Sequence, residues 1–462
     1  MVSIQRQFTQ ARLRSTRKSI FHLTVLFFFT SSATAAMSID EAVEIAIIND
    51  PWLEGSMHRQ KALEAESTAA STMPDPMLNL GFANLPTDTF DFGQEAMTQF
   101  KVGVTQTIPR GDSLKLQQKQ LARRGTQQPL LREDRIAKVS VSVSHQWLDA
   151  YRAKETIRLI EDDRALFEHL VDVAQSSYTS AVGKTRQQDL IRAQLELTRL
   201  EDRLTVLNEH LAISLSRLGE WLLPQAPGSR ENWQYARSDW QDLPADLPVM
   251  PVPQPELLNI AHTPEPKEIA THLVSHPAIL NLDVKIAASA TGIEIAEQKY
   301  KPEWKVSGSY GYRDDAPNGV ERSDFFSVGL AVDLPLFTSN RQDKQVQSAI
   351  ATTESVRTEK ALLLRSMVAA FETQRSRLLR LNERNELYQS RLLREMHEQA
   401  EASLTAYTND DGDFAEVVRS RIAELNARID ALNIEIDRLK TIVQLNYLFT
   451  KSDVQSLENM HE

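Results

Sequence analysis

The side chains best placed to do chemistry are acids and arginines beside two turns. Asp189 and Arg192 follow the run Tyr178-x4-Gly183, and Glu416 and Arg419 follow Tyr407-x4-Gly412. Asp410, Asp411 and Asp413 crowd the second turn. An acid and an arginine three apart on a helix make a local pair worth a few tenths of a kcal/mol. The same acids, gathered from several chains around one axis, would line a constriction, and a ring of negative charge at a pore mouth selects cations. The sequence leaves both readings open.

No catalytic constellation accompanies them. The ten histidines are scattered, with no HExxH and no close His/Asp/Glu group. His272 and His276 stand four apart on an expected helix, a spacing that suits a metal, but a solvated helix face is the plainer reading. There is no GxxxxGK(S/T) and no GxGxxG, so nucleotide binding has no support. The absence of cysteine removes disulfides, thiolate metal sites and an acylated N-terminal cysteine. We expect no enzyme, no cofactor and no resident metal.

These residues belong to a chain that repeats itself. Pro51 and Pro277, Pro76 and Pro302, Val102-Gly103 and Val328-Gly329, and Pro109 and Pro335 each stand 226 residues apart. The two Tyr-x4-Gly runs stand 229 apart. Landmarks in one order at nearly one offset mark a duplicated unit. Since they are prolines and glycines, the same backbone breaks recur, and both halves should share a fold. The expected division is a signal peptide over 1–36, a first repeat over 37–221, a Pro-rich equatorial connector over 222–265, a second repeat over 266–450 and a tail over 451–462.

Arg6, Arg12, Arg14, Arg17 and Lys18, then the apolar run Ile20–Phe29, then Ala33-Thr34-Ala35 read as a cleaved secretory signal. The apolar run is too short for a membrane anchor. Losing it takes five positive charges from a net −11 and leaves −16, a poor balance for nucleic-acid binding. No later segment is apolar enough for a transmembrane helix, so membrane insertion would have to be by β-strands.

Each half reads as a helix, two strands and two very long helices. The first helix is expected from Ser38 to about Thr72, capped by Ser38 or Asp40, with a counterpart from about Pro266 to Tyr300. The connector holds eight prolines and is expected to wrap the outside, pinned by Trp221, Trp233 and Trp240. Phe100, Val102, Val104 and Ile108 alternate with polar residues, as do Phe326, Val328, Leu330, Val332 and Leu334. Trp304, Val306, Tyr310 and Tyr312 do the same, and Leu78, Leu80 and Phe82 more weakly. Period two describes a half-buried sheet, and the length suits a tilted membrane strand. Phe100, Val102, Val104, Trp304, Val306, Phe326, Val328 and Leu330 are the expected lipid-facing set. Phe90, Phe92, Trp304 and Tyr312 suit an interfacial girdle. Four strands cannot close a barrel alone, so several chains would have to share one.

Ser113 to about Ala181, interrupted only by Gly125 and Pro129, and Arg341 to about Thr408 read as rods of roughly 100 Å. Asp112 or Ser113 and Ser339 or Asn340 are the expected N-caps. The returning helices carry heptads: Leu190, Ala193, Leu197, Leu200, Leu204, Leu207 and Leu211, then Ile422, Leu425, Ile429, Leu432, Ile436, Leu439 and Val443. Those residues are packing rather than chemistry.

The duplicated unit, strand pairs, long hairpins and Tyr-x4-Gly turns resemble the TolC-type outer-membrane efflux proteins. The run Pro74-Asp75-Pro76-Met77-Leu78-Asn79-Leu80-Gly81-Phe82-Ala83-Asn84-Leu85-Pro86, with Met97-Thr98-Gln99 and Gln106-Thr107-Ile108-Pro109-Arg110-Gly111-Asp112, is most similar to the heavy-metal (resistance-nodulation-division) branch. The resemblance implies a mainly α chain with a small membrane β part. It implies a homotrimer in which four strands from each chain close a 12-stranded barrel in outer-membrane lipid, continued by a periplasmic helical tunnel. It also implies docking of the turns at Tyr178, Gly183, Tyr407 and Gly412 to a periplasmic adaptor (membrane fusion) protein, and an inner-membrane resistance-nodulation-division pump as the energy source. Asp189 matches a tip acid of the family, and Glu416 does so with a two-residue shortening after Gly412. Asp189, Asp410, Asp411, Asp413 and Glu416 are then candidate gate acids, and Arg192 and Arg419 their restraints. The function implied is a passive exit duct for small solutes, with heavy-metal cations among them. The alternative is a soluble periplasmic coiled-coil adaptor or scaffold, whose strand aromatics would lie in a protein core.

Overall fold

The computed structural model describes residues 36–179, 186–223, 243–409 and 412–453. The expected signal residues 1–35, Gly183, Asp410, Asp411, Trp233 and Trp240 lie outside the described residues.

The first repeat does not open on one helix. It forms α1 (Ile39–Ile48) and α2 (Pro51–Ala70), broken at Asn49-Asp50. Pro51 takes the first position of α2, and a residue before proline is driven out of the α region. Asp50 is accordingly extended, and its carboxylate accepts from the Trp52 N–H at 3.0 Å. Its counterpart is likewise two helices, α5 (Pro266–Leu273) and α6 (Pro277–Gln298). His276 caps α6 as Asp50 caps α2, its Nδ1 accepting from the Ala278 N–H at 3.1 Å. Ser38, rather than Asp40, caps α1.

After α2 come β1 (Met77–Ala83) and β2 (Gln99–Ile108), then α3 (Ser113–Thr179) and the returning α4 (Gln187–Leu222). After α6 come β3 (Glu303–Tyr312) and β4 (Phe325–Asp333), then α7 (Gln342–Leu387). A π-helical turn, Tyr388–Leu392, joins α7 to α8 (Leu393–Thr408), and α9 (Phe414–Leu448) returns. The N-cap of α7 is Arg341, which gives no side-chain cap, rather than Ser339 or Asn340. The Thr338 carbonyl instead accepts from the N–H groups of Arg341 and Asp343, both at 3.1 Å.

Three apolar clusters hold the helices, and α9 contributes to all of them. The first joins α1, α3, α4 and α9 around Trp147, whose indole N–H donates to the Met37 carbonyl at 3.0 Å. The second fills the α3–α4 hairpin against α9 and contains Leu190, Ala193, Leu197, Leu200, Leu204, Leu425 and Ile429 from the two heptad seams. The third gathers α5, α6, α7 and α9 around Phe371. The described part of the connector is tied to this body. Leu243 enters the first cluster, and a short 3-10 turn, Pro255–Leu258, puts Leu257 and Leu258 into the third. Lys154 and Tyr151 donate to its Leu243 and Ala245 carbonyls at 2.7 and 2.6 Å, and Arg375 donates to that of Leu257 at 2.8 Å. Trp221 packs on the first cluster beneath the Arg135 guanidinium.

The strands form one antiparallel sheet in the order β1-β2-β3-β4. The central pair, β2 and β3, is where the two repeats meet, leaving β1 and β4 as unpaired edges.

Candidate functional site

The sheet register sorts the strand side chains. Leu78 lies opposite Val104, Leu80 opposite Val102, Val102 opposite Tyr310, and Val306 opposite Leu330. Even numbers pair with even throughout, so a single face carries all the even residues. That face holds Phe100, Val102, Val104, Trp304, Val306, Phe326, Val328 and Leu330 together. It carries no charged residue, and Gln106 is its only side-chain amide. It is also open: Phe326 is 75% and Val328 72% exposed. Lys101, Glu303, Lys305 and Asp333, all the charges of the four strands, lie on the odd face with serines, threonines and glycines. An exposed apolar face this extensive marks a surface that meets something other than water. Among the described residues no helix is long and apolar enough to cross a membrane.

Both ends of the sheet are fixed. At the loop end, Phe82, Phe92, Phe100 and Tyr312 form an aromatic group, with Phe92 stacked on Tyr312 at 6.2 Å. Arg322 and Arg313 of the β3–β4 loop donate to the Gly93 and Ala96 carbonyls of the β1–β2 loop at 3.2 and 2.9 Å. At the helical end, Arg110 pairs with Asp333 and donates to the Lys301 carbonyl at 3.1 Å, joining the ends of β2 and β4 and the start of β3. Gly111 follows with φ of +46°, and a Cβ there would run into the Lys301 and Gln298 side chains. The run Pro109–Asp112 is therefore a sharp hand-over from strand to helix.

At the far end of the helices, the acids of the two turns differ in setting. Asp189 is buried, and its carboxylate accepts from the Arg186 N–H at 3.0 Å, closing the first turn of α4. Arg192 is exposed and makes no ion pair with it among the described residues. Asp413 is the N-cap of α9 and accepts from the Ala415 N–H at 3.2 Å. Glu416 does pair with Arg419, at 2.5 Å; Arg419 is exposed and Glu416 half-exposed. Tyr178 is exposed near the end of α3, whereas Tyr407 packs edge-on against Phe414 at 5.5 Å. Gly412 has a steric reason to be glycine. A Cβ there would stand 2.6 Å from the Tyr407 amide nitrogen.

One polar group has no counterpart in the sequence reading, and one histidine has a setting different from the expected one. Between α8 and α9, Arg421 binds Glu401 and Glu424 at 2.5 and 2.9 Å, and His397 Nδ1 contacts Glu424 at 2.7 Å. Burial pushes the Glu424 carboxyl up, but its bonds to His397 and Arg421 outweigh this and hold it below its ordinary value. The histidine is His276. It is fully buried, with Nε2 at 3.1 Å from the Tyr447 carbonyl, so it is neither on a solvated face nor in a metal pair with His272. His272 lies edge-on to Phe449 instead. Burial lowers the pKa of His276, and that of His145, which lies beside Lys440. The Ser-His-Pro order was the available signal for His276, since proline begins a helix and the residue before it caps one.

No protein-family model matches the chain, and no curated protein matches it in sequence. Solved structures do match its fold over most of its length. The Campylobacter jejuni CmeC outer membrane channel is 12% identical with a TM-score of 0.69, covering 98% of this chain and 97% of that one. The outer membrane protein VceC of Vibrio cholerae is 13% identical with a TM-score of 0.69, covering 90% and 96%. The open state of the Neisseria gonorrhoeae MtrE outer membrane channel is 12% identical with a TM-score of 0.67, covering 89% and 88%. The chain has the fold of these outer-membrane channel proteins.

Proposed function

We propose that this chain is the outer-membrane exit duct of a tripartite efflux system, a passive path for small solutes from the periplasm to the exterior. The observation that carries the reading is the exposed, uncharged even face of a sheet with two unpaired edges. Unpaired strand edges are not tolerated in lipid, so the sheet must close on copies of itself. With four antiparallel strands per chain, β4 runs opposite to a neighbour's β1 and the ladder continues unbroken. Three copies close a 12-stranded barrel in outer-membrane lipid, and the helices continue it as a periplasmic tunnel.

The turns after α3 and α8 are the docking ends for a periplasmic adaptor, and an inner-membrane resistance-nodulation-division pump supplies the energy. Glu416 and Arg419, paired at the surface, are the better placed gate pair. Asp189 serves its own helix first. Heavy-metal cations as the solute rest on branch resemblance alone, carried by the runs Pro74–Pro86, Met97–Gln99 and Gln106–Asp112. The soluble adaptor alternative needs the strand aromatics inside a protein core, and Phe82, Tyr310, Tyr312 and Phe326 are exposed instead.

The test is reconstitution. Protein extracted from outer membranes with detergent should insert into planar bilayers and give discrete current steps. A water-soluble periplasmic protein with no conductance would replace the duct with the adaptor reading.

A further inference from the structure

Three of the four charges on the odd face have partners. Asp333 pairs with Arg110, and Lys305 lies 3.9 Å from Glu303. Lys101 makes no hydrogen bond or ion pair among the described residues. Its neighbours across the sheet are Gly81 and Gly311. A Cβ at Gly81 would meet nothing within 4 Å, so the first strand leaves the space beside Lys101 open. That space is a shallow depression of about 330 Å³ whose polar lining is Lys101, Asn79, Thr105, Ser307 and Ser309, the rest being glycine, Ala83 and parts of Leu80 and Phe82. The Asn79 amide donates to the Thr105 hydroxyl at 3.1 Å, which leaves the threonine proton free to donate outward. An unpaired ammonium beside hydroxyl and amide donors, with no carboxylate lining the depression, is a setting for an oxyanion.

We propose that Lys101 and the hydroxyls around it form an oxyanion contact site inside the barrel. A carboxylate, sulfonate or phosphate group of a passing solute rests there before release. The proposal rests on the exit-duct reading and deepens it by naming a substrate class. Three copies of Lys101 place positive charge in the barrel, whereas Glu416 places negative charge at the hairpin end. Solutes carrying an anionic group, and amphoteric solutes above all, suit both stations. A conduction site must hold weakly enough to release, which a single half-buried ammonium open to the lumen does.

The chain has no cysteine, so single cysteines can be read without background. In Lys101→Cys trimers, sulfonatoethyl methanethiosulfonate should label the thiol from water and lower the single-channel conductance. In Val102→Cys trimers the thiol should face lipid and stay unlabelled. Citrate should block the wild-type current, and Lys101→Gln should raise the half-blocking concentration by about tenfold, the scale of one lost charge-assisted bond. Lys101→Arg should keep the block. An unchanged citrate block in Lys101→Gln, with Lys101→Cys still labelled, would overturn the site and leave the duct standing. Absence of conductance, or labelling of Val102→Cys in place of Lys101→Cys, would overturn the duct reading and the site with it.

Discussion

Single residues divide between those that hold turns and those left open at the surface. Asp189 and Glu416 look equivalent in sequence, but one caps a helix while the other stands half-exposed with Arg419. Glu416→Gln should lower cation selectivity, measured as reversal potential in a salt gradient. Asp189→Asn should change it less, since an amide oxygen still accepts from Arg186, and Asp189→Ala should cost about 1 kcal/mol of stability. Unchanged selectivity in Glu416→Gln would leave that pair as an ordinary solvated helix contact. Buried histidines make a second prediction. His276 and His145 are held neutral by burial, so their folded pKa values lie below the unfolded value. The unfolded chain then binds more protons as pH falls. Stability is complete above about pH 6.5 and drains below it, by up to about 1.4 kcal/mol per pH unit for each histidine. His276→Asn keeps an oxygen for the Ala278 N–H, as Asp50 keeps one for Trp52. Its thermal midpoint should fall less steeply than wild type between pH 7 and pH 5, and an equal slope would remove His276 from the account. The i,i+4 spacing to His272 suggests a shared helix face, but Pro277 starts a new helix and turns His276 into its buried cap.

At the level of elements, the two periodicities did different amounts of work. Period two in β2, β3 and β4 was enough to separate the two faces, because the register pairs even residues with even from edge to edge. The heptads in α4 and α9 pointed to the residues that fill the clusters, since a seam of leucine and isoleucine has nowhere else to go. Helix ends were less legible. The Thr338 carbonyl, a group with no side-chain signature, does the capping expected of Ser339 or Asn340. Least legible was the polar group of Arg421, Glu424, Glu401 and His397. It depends on how α8 lies against α9, which no local spacing encodes. The sheet faces give the third prediction. Val328→Arg puts a charge on the face proposed to meet lipid and should impair membrane insertion by about 2–4 kcal/mol near the midplane. Ser327→Arg, on the other face, should insert nearly normally and narrow the conductance. Measuring both by folding into lipid vesicles separates them, and greater sensitivity at Ser327 would reverse the faces.

At the scale of the whole molecule, the helices and the sheet are covered unequally. Its helices have three apolar clusters of their own, but its sheet has an uncovered apolar face and two open edges. A fold that buries so much along α9 leaves Phe326 and Val328 bare, and on the proposed reading lipid and further copies cover them. The central claim is that three chains share one barrel. Native mass spectrometry of the detergent-extracted protein tests it most directly. The expected result is a complex with the mass of three mature chains that persists until the detergent micelle is stripped. A protein that runs as a monomer in plain buffer, without detergent, would contradict it.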